Sequence, residues 1–275
     1  MTNINPNVTL HNGISMPQLG FGVWKMENGD EVINSVKDAL ATGYRSIDTA
    51  KAYRNEEGVG QALKQSGLKR EEIFLTTKLK NQDQGYQSTL DAFEGSLELL
   101  DTDYLDLYLI HWPGKDRYIE TWKAFEKLYE DGRVRAIGVC NFEIHHLETL
   151  KAESTIIPMV NQIELHPLLN QKELRQYCQE RNILVEAWSP LAQGDLLHDP
   201  ILEGIAHNYG KTIAQVILRW DLQHGLITIP KSSTPERIRS NFNIFDFELT
   251  SADMQTIDEM NTNVRKGSHP DQLLF

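Results

Sequence analysis

A chain of 275 residues with 40% hydrophobic side chains can bury a substantial core within one domain, and a formal charge of −12 sets its average surface against nucleic acid and anionic membranes. Two cysteines, Cys140 and Cys178, are too few for a disulfide framework and lack zinc-ligand spacing, so both are expected as reduced thiols. The opening MTNINPNVTL has no basic region followed by an apolar run, and no later stretch is apolar for long enough to span a bilayer, so the expected location is cytoplasmic.

Val8 to Leu10 and Met16 to Gln18 flank Asn12-Gly13, which predicts a hairpin. After it, apolar strand-like runs alternate with helical patterns, the mark of a parallel sheet. The runs are GFGVW (20–24), RSIDT (45–49), FLTTK (74–78), LDLYLIH (105–111), AIGVCN (136–141), MVNQIE (159–164), LVEAWS (184–189) and LITIPK (226–231). Helices are expected at 31–41, 55–66, 87–100, 118–130, 144–151, 171–180, 212–221 and 235–241. Leu90, Phe93, Leu97 and Leu100 show the helical spacing most clearly. Asn55 is placed to cap the second helix, with Glu56 and Glu57 in its first turn and Gly67 at its end.

Eight strand and helix pairs predict an α/β fold, a closed (β/α)8 TIM barrel with an amino-terminal hairpin and a short carboxyl-terminal tail, with 1–275 as one domain. A doubly wound open sheet is the alternative. GFGVWK (20–25) and GVGQAL (58–63) each place two glycines of the dinucleotide fingerprint and fail at the third, and no Walker-type loop is present.

Almost every strand-like run ends in a residue able to bind or react: Trp24, Asp48, Lys78, His111, Asn141, Gln162, Glu164, Trp188, Ser189, Lys231 and Ser232. A barrel assembles its active site from that one rim. Singly, His111 reads also as a core histidine, Lys78 as a strand reaching solvent, Asp48 as a turn cap and Tyr53 as a packing aromatic. Together they form a proton-transfer device. A tyrosine of pKa about 10 needs its phenolate stabilised, and a cation about 4 Å away at an effective dielectric of about 20 contributes up to roughly 4 kcal/mol. Lys78 would supply that charge, Asp48 would keep Lys78 cationic, and His111 would orient and polarise a carbonyl.

Three segments resemble signatures of the aldo-keto reductases: GYRSIDTA (43–50) followed by Glu56 and Gly60, AIGVCNF (136–142), and IPKSSTPERIRSN (229–241). The resemblance runs from the hairpin to the tail SHPDQLLF and is nearest to the bacterial branch of 2,5-diketo-D-gluconate, glyoxal and methylglyoxal reductases. It implies an oxidoreductase that reduces aldehydes and ketones with NADPH, acting as a monomer on small aldehydes, dicarbonyls such as methylglyoxal, and keto-sugar acids. By the same resemblance Tyr53 is the general acid, Asp48 and Lys78 set its pKa, and His111 orients the substrate between Trp24 and Trp112. Asn141 and Gln162 would hold the nicotinamide carboxamide, Trp188 would stack on the ring, and Ser189 with Leu191 would follow the pyrophosphate. Lys231, Ser232 and Arg237 match the adenosine-phosphate site, with Asn241 at the adenine. Independently, Thr234 can cap a helix with Pro235 in its first turn, a place for a 2'-phosphate. Cys140 stands where relatives carry serine, and Trp188 where tyrosine is more frequent.

Three other readings compete. They are an NADPH-binding redox-sensing subunit with little turnover, a Schiff-base lyase using Lys78 or Lys231, and a metal hydrolase. The last has only the His145-His146 pair, without companion ligands at suitable spacing, and no metal is expected.

Overall fold

The computed structural model describes residues 5–273; the last two residues of the tail segment SHPDQLLF lie outside them. Strands β1 (Asn7–Thr9) and β2 (Ser15–Pro17) pair antiparallel with Val8 opposite Met16, and Gly13 takes the positive φ of 87° that the Asn-Gly turn requires. Asn12 Nδ2 donates to the Arg135 carbonyl at 3.0 Å. This anchors the hairpin across the floor of the barrel.

All eight expected runs are strands, and each is parallel to its neighbour in chain order: β3 (Phe21–Gly22), β4 (Ser46–Asp48), β5 (Phe74–Leu79), β6 (Leu105–Ile110), β7 (Val134–Cys140), β8 (Val160–Glu164), β9 (Leu184–Trp188) and β10 (Ile227–Thr228). The sheet closes where Leu19 bridges Thr228, with Gly20 N–H donating to Thr228 O at 2.9 Å and Thr228 N–H to Gln18 O at 3.0 Å. The buried Gln18 amide staples the closure by donating to the Leu222 and Leu226 carbonyls at 2.9 and 3.0 Å. A (β/α)8 barrel results.

Among the described residues ten helices surround it: α1 (Asp30–Thr42), α2 (Glu56–Gln65), α3 (Tyr86–Leu100), α4 (Tyr118–Glu130), α5 (Ile144–Glu153), α6 (Lys172–Glu180), α7 (Pro200–Tyr209), α8 (Ile213–Gln223), α9 (Pro235–Phe242) and α10 (Ser251–Asp258). Their apolar faces cover the outward side chains of the strands. Tyr108 of β6 stacks on Phe125 of α4 at 4.5 Å and meets Phe93 of α3 edge-on at 5.3 Å, contacts worth about 0.5–1.5 kcal/mol each beyond area burial.

Two helices, α7 and α10, were not expected from periodicity, yet both carry start signals. Asp199 Oδ1 accepts from the Ile201 and Leu202 amides ahead of Pro200 at the first helical position, and Gly210 ends α7 at φ 62°. Thr250 caps α10 through the Asp253 amide.

The capping roles expected of Asn55 and Thr234 are corrected, for neither side chain caps its helix. Asn55 is buried instead and ties two loops, accepting from Thr49 Oγ1 at 2.9 Å and donating to the Val23 and Met26 carbonyls at 3.0 and 3.1 Å. Glu56 likewise turns inward to accept from Thr77 Oγ1 at 2.6 Å rather than only decorating the helix start.

Candidate active site

The strand ends meet around one cavity of about 1210 Å³ at the carboxyl-terminal rim. At one end lie Asp48, Tyr53, His111, Trp24 and Trp112; at the other lie Lys231, Ser232, Arg237 and Asn241; Asn141, Gln162, Trp188, Ser189 and Leu191 line the stretch between. Lys78 sits beneath this floor, fully buried. The expected site residues other than Glu164 are therefore brought together, drawn from all eight strand ends and from α9.

The core of the site is an ion pair. Lys78 Nζ donates to Asp48 Oδ1 at 2.6 Å, to the Thr49 carbonyl at 3.0 Å and to the Tyr53 hydroxyl at 3.3 Å. Strand pleating accounts for the pair, since Asp48 ends β4 and Lys78 lies on the adjacent β5 with both side chains turned inward. Tyr53 arrives from a one-turn 3-10 helix, Lys51–Tyr53, that follows β4, and Arg54 closes that turn at φ 59°. His111, just beyond β6, meets the Tyr53 ring edge-on at 5.7 Å.

Burial is the largest influence on Lys78 and works against its charge, yet Asp48 and then Tyr53 hold the ammonium above its ordinary pKa. His111 is pushed down to about 3, first by burial and then by Lys78, so the imidazole is neutral. Tyr53 departs from expectation. Lys78 does pull its hydroxyl downward, but burial outweighs that pull and Asp48 adds to the rise, leaving the phenol above its ordinary value. The lost hydration of the phenol at the cavity floor is a larger effect than the pull of the ammonium beside it.

A polar relay extends from Asp48 across the barrel. Gln162 Nε2 donates to Asp48 Oδ2 and to Glu186 Oε2, both at 2.8 Å. Burial, and then the Asp48 carboxylate, hold Glu186 well above the usual carboxylate range, so it keeps its proton at neutral pH. Cys140 Sγ, buried beside them, donates to Gln162 Oε1 at 3.7 Å and accepts from Asn141 Nδ2 at 3.1 Å. Asn141 Nδ2 also donates to the His111 carbonyl at 3.0 Å, while Asn141 Oδ1 accepts from Trp188 Nε1 at 2.8 Å. Asn141, Ser189, Ala192 and Gln193 all take positive φ, between 48° and 64°. Three of these positions, Asn141, Ser189 and Gln193, line the cavity, so strained non-glycine backbone gathers at the site.

Glu164 is corrected: it does not line the cavity but is buried beside it, accepting from the Lys266 and Gly267 amides and pairing with His166 Nε2 at 3.0 Å. It thereby pins the tail, whose Lys266, Gly267 and Ser268 form part of the cavity wall and whose Lys266 pairs with Asp195 across it. These tail residues and Glu186 escaped the sequence reading. A glycine was the one signal in the tail: a Cβ at Gly267 would stand 2.5 Å from Trp188 Cη2. His145 and His146 do gain a companion, Asp271 Oδ1 at 3.1 and 3.4 Å. His146 Nδ1 accepts from the Glu143 amide at 3.2 Å, which leaves its Nε2 proton for Asp271 and accounts for the contact without a cation.

A parallel barrel whose rim cavity joins a buried Lys-Asp pair to a tyrosine hydroxyl and a neutral histidine has the form of a barrel-enzyme active site. The pattern of the Aldo/keto reductase family matches residues 18–262, and the chain belongs to this family. Glyoxal reductase of Bacillus subtilis (strain 168) is 60% identical to it over 274 residues, covering 100% of this chain and 99% of its own. Methylglyoxal reductase DkgA of Escherichia coli (strain K12) is 48% identical over 273 residues, covering 98% of each. Among solved structures, a variant of Gox0644 in complex with NADPH superposes with a TM-score of 0.95 at 47% identity, covering 99% of this chain and 100% of that one. The Bombyx mori aldo-keto reductase in complex with NADP gives 0.91 at 36% identity, covering 97% and 96%.

Proposed function

We propose that this chain, acting as one barrel domain, reduces aldehydes and ketones to alcohols with NADPH, and that Tyr53 protonates the carbonyl oxygen. The observation that carries the reading is the single ammonium of Lys78 shared between Asp48 Oδ1 and the Tyr53 hydroxyl, facing a neutral His111 in the same cavity.

The cavity fits a phosphorylated dinucleotide. Its far end offers two exposed cations, Lys231 and Arg237, beside the start of α9, where Thr234 makes no side-chain cap and the helix amides stay available to an anion. Lys231, Ser232 and Arg237 would hold the 2'-phosphate, Asn241 the adenine, Ser189 and Leu191 the pyrophosphate, and Trp188 the nicotinamide face. The Asn141 and Gln162 side-chain oxygens each keep a lone pair for the carboxamide NH2 group. NADPH held there supplies a hydride to the carbonyl carbon.

The protein's part is the proton. Because burial keeps the Tyr53 phenol protonated through neutral pH, the hydroxyl is a hydrogen-bond donor before reaction and gives up its proton only as negative charge collects on the substrate oxygen. The adjacent ammonium then stabilises the phenolate, and Asp48 keeps that ammonium charged. Neutral His111 offers a second N–H to the same oxygen. A permanently cationic Lys78 is a poor amine nucleophile, which counts against the lyase reading.

Tyr53→Phe is expected to lower turnover by about 10²–10⁴-fold while leaving NADPH affinity within about twofold of wild type. Turnover preserved in the Phe variant would remove Tyr53 from the acid role. Trp24, 40% exposed at the mouth, and Trp112 wall an open carbonyl end that suits small aldehydes, dicarbonyls such as methylglyoxal, and keto-sugar acids. NADPH oxidation across a panel of these, repeated with NADH, tests substrate and cofactor together.

A further inference from the structure

We propose that Arg54 and Lys80 form an anion-recognition site at the substrate end of the cavity, which selects carbonyl compounds bearing a carboxylate a few bonds from the reacting carbonyl. This rests on the reading of Tyr53 and His111 as the carbonyl site. A second recess of about 470 Å³ opens beside the main cavity and shares Ala52, His111 and Trp112 with it. Lys231 and Arg237 line the main cavity and not this recess, so a ligand group seated here approaches His111 from a side separate from the adenosine-phosphate end.

The recess gathers three cations, Lys51, Arg54 and Lys80, against one carboxylate, Asp83. Lys51 is committed elsewhere: its ammonium lies 3.6 Å from buried Glu56 and donates to the Gly95 carbonyl at 3.2 Å. Arg54 and Lys80 make no side-chain hydrogen bond or ion pair among the described residues, with Asp83 or with any other carboxylate. Their placement follows from the catalytic elements. Arg54 immediately follows Tyr53 and is exposed at the turn it closes at φ 59°. Lys80 continues the extended chain of β5 at φ −65°, ψ 142°, two residues beyond Lys78, so pleating directs it to the same side and over the rim.

Two uncommitted cations beside a reacting centre are unexpected on a chain of charge −12, whose average surface repels anions. They reverse the sign of the potential locally, over roughly the 8 Å that physiological salt permits. Guanidinium geometry matches a carboxylate.

The test compares kcat/KM for 4-oxobutanoate and butanal, equal in chain length and differing by the carboxylate, in wild type, Lys80→Met, Arg54→Asn and the double variant. Asparagine tolerates the left-handed backbone at position 54. Wild type should favour 4-oxobutanoate, and each neutralisation should lower the ratio of the two kcat/KM values by about three- to tenfold, through KM for the acid. Lys80→Glu should lower it further, and added salt should erode the wild-type preference. A ratio unchanged in the double variant, or a wild-type preference for butanal, would overturn the anion site while leaving carbonyl reduction intact. If wild type reduces neither aldehyde, the carbonyl reading itself fails.

Discussion

His111 and Glu186 show how burial sets protonation at this site, in opposite directions for a base and an acid. Burial holds the imidazole neutral, with its pKa at about 3, so kcat/KM should show no acid limb from His111 between about pH 5 and 8. An acid limb that appears near pH 6.5 and vanishes in His111→Gln would show that the imidazole protonates in this range. Glu186 bears on stability instead. Its folded-state pKa is raised, first by burial, so between the unfolded carboxylate value and the folded one the native state binds more protons than the unfolded chain. Stability must therefore fall as pH rises through that window. Glu186→Gln keeps an acceptor for Gln162 and removes the loss, so the variant's melting temperature should gain on wild type from pH 5 to pH 9. Equal pH dependence in both proteins would place the proton elsewhere. Asp48, Lys78 and His111 are legible in the sequence because each ends an apolar run, where a charged or polar residue must meet the rim. Glu186 is mid-strand, and its meaning depends on Gln162 and Asp48 across the barrel, which no local pattern reveals.

At the scale of elements, α2 is held against the end of α3 by the absence of a side chain. A Cβ at Gly60 would stand 2.7 Å from the Leu100 carbonyl carbon and oxygen and 2.8 Å from the Leu99 oxygen, all backbone atoms that cannot swing aside. Helix propensity alone would favour Gly60→Ala by up to about 1 kcal/mol, but overpacking costs about 1–3 kcal/mol, so the substitution should destabilise. Urea denaturation reads the sign directly, and a stabilised alanine variant would mean that the helices separate freely. Strand positions are legible almost throughout, since the apolar runs are short and bounded. The weakest signals came from α7 and α10, whose starts depend on Asp199 and Thr250 more than on periodicity. The reverse error occurred at Asn55, where a good capping residue is used as an internal tie between loops.

For the whole molecule, closure of the sheet joins the beginning of the chain to its end through Leu19, Thr228 and the Gln18 amide. Gln18→Ala would leave the Leu222 and Leu226 carbonyls without that donor inside the core, a loss of about 1–3 kcal/mol. Chemical denaturation should show a lower midpoint with an unchanged slope, because one cooperative ring is weakened rather than divided. A second transition in the variant would show that the barrel halves unfold independently. Barrel class was legible from the count of strand and helix pairs, whereas closure depends on pairing between segments some two hundred positions apart, for which the sequence carries no local mark.

The burial of Cys140 and Cys178 has a chemical consequence for the proposed reduction of reactive carbonyls. Thiolates and free amines add to the carbonyl carbon of aldehydes and dicarbonyls, so a site that concentrates such compounds risks modifying itself. Here both thiols are enclosed and pushed by burial above their ordinary pKa, Cys178 up to about 12, so almost no thiolate exists near neutrality. The amine nearest the reacting carbonyl, Lys78, is held as an ammonium by Asp48 and has no lone pair to offer. In the proposed mechanism, the ion pair that prepares Tyr53 for proton transfer thus also protects the floor of the site from carbonyl substrates.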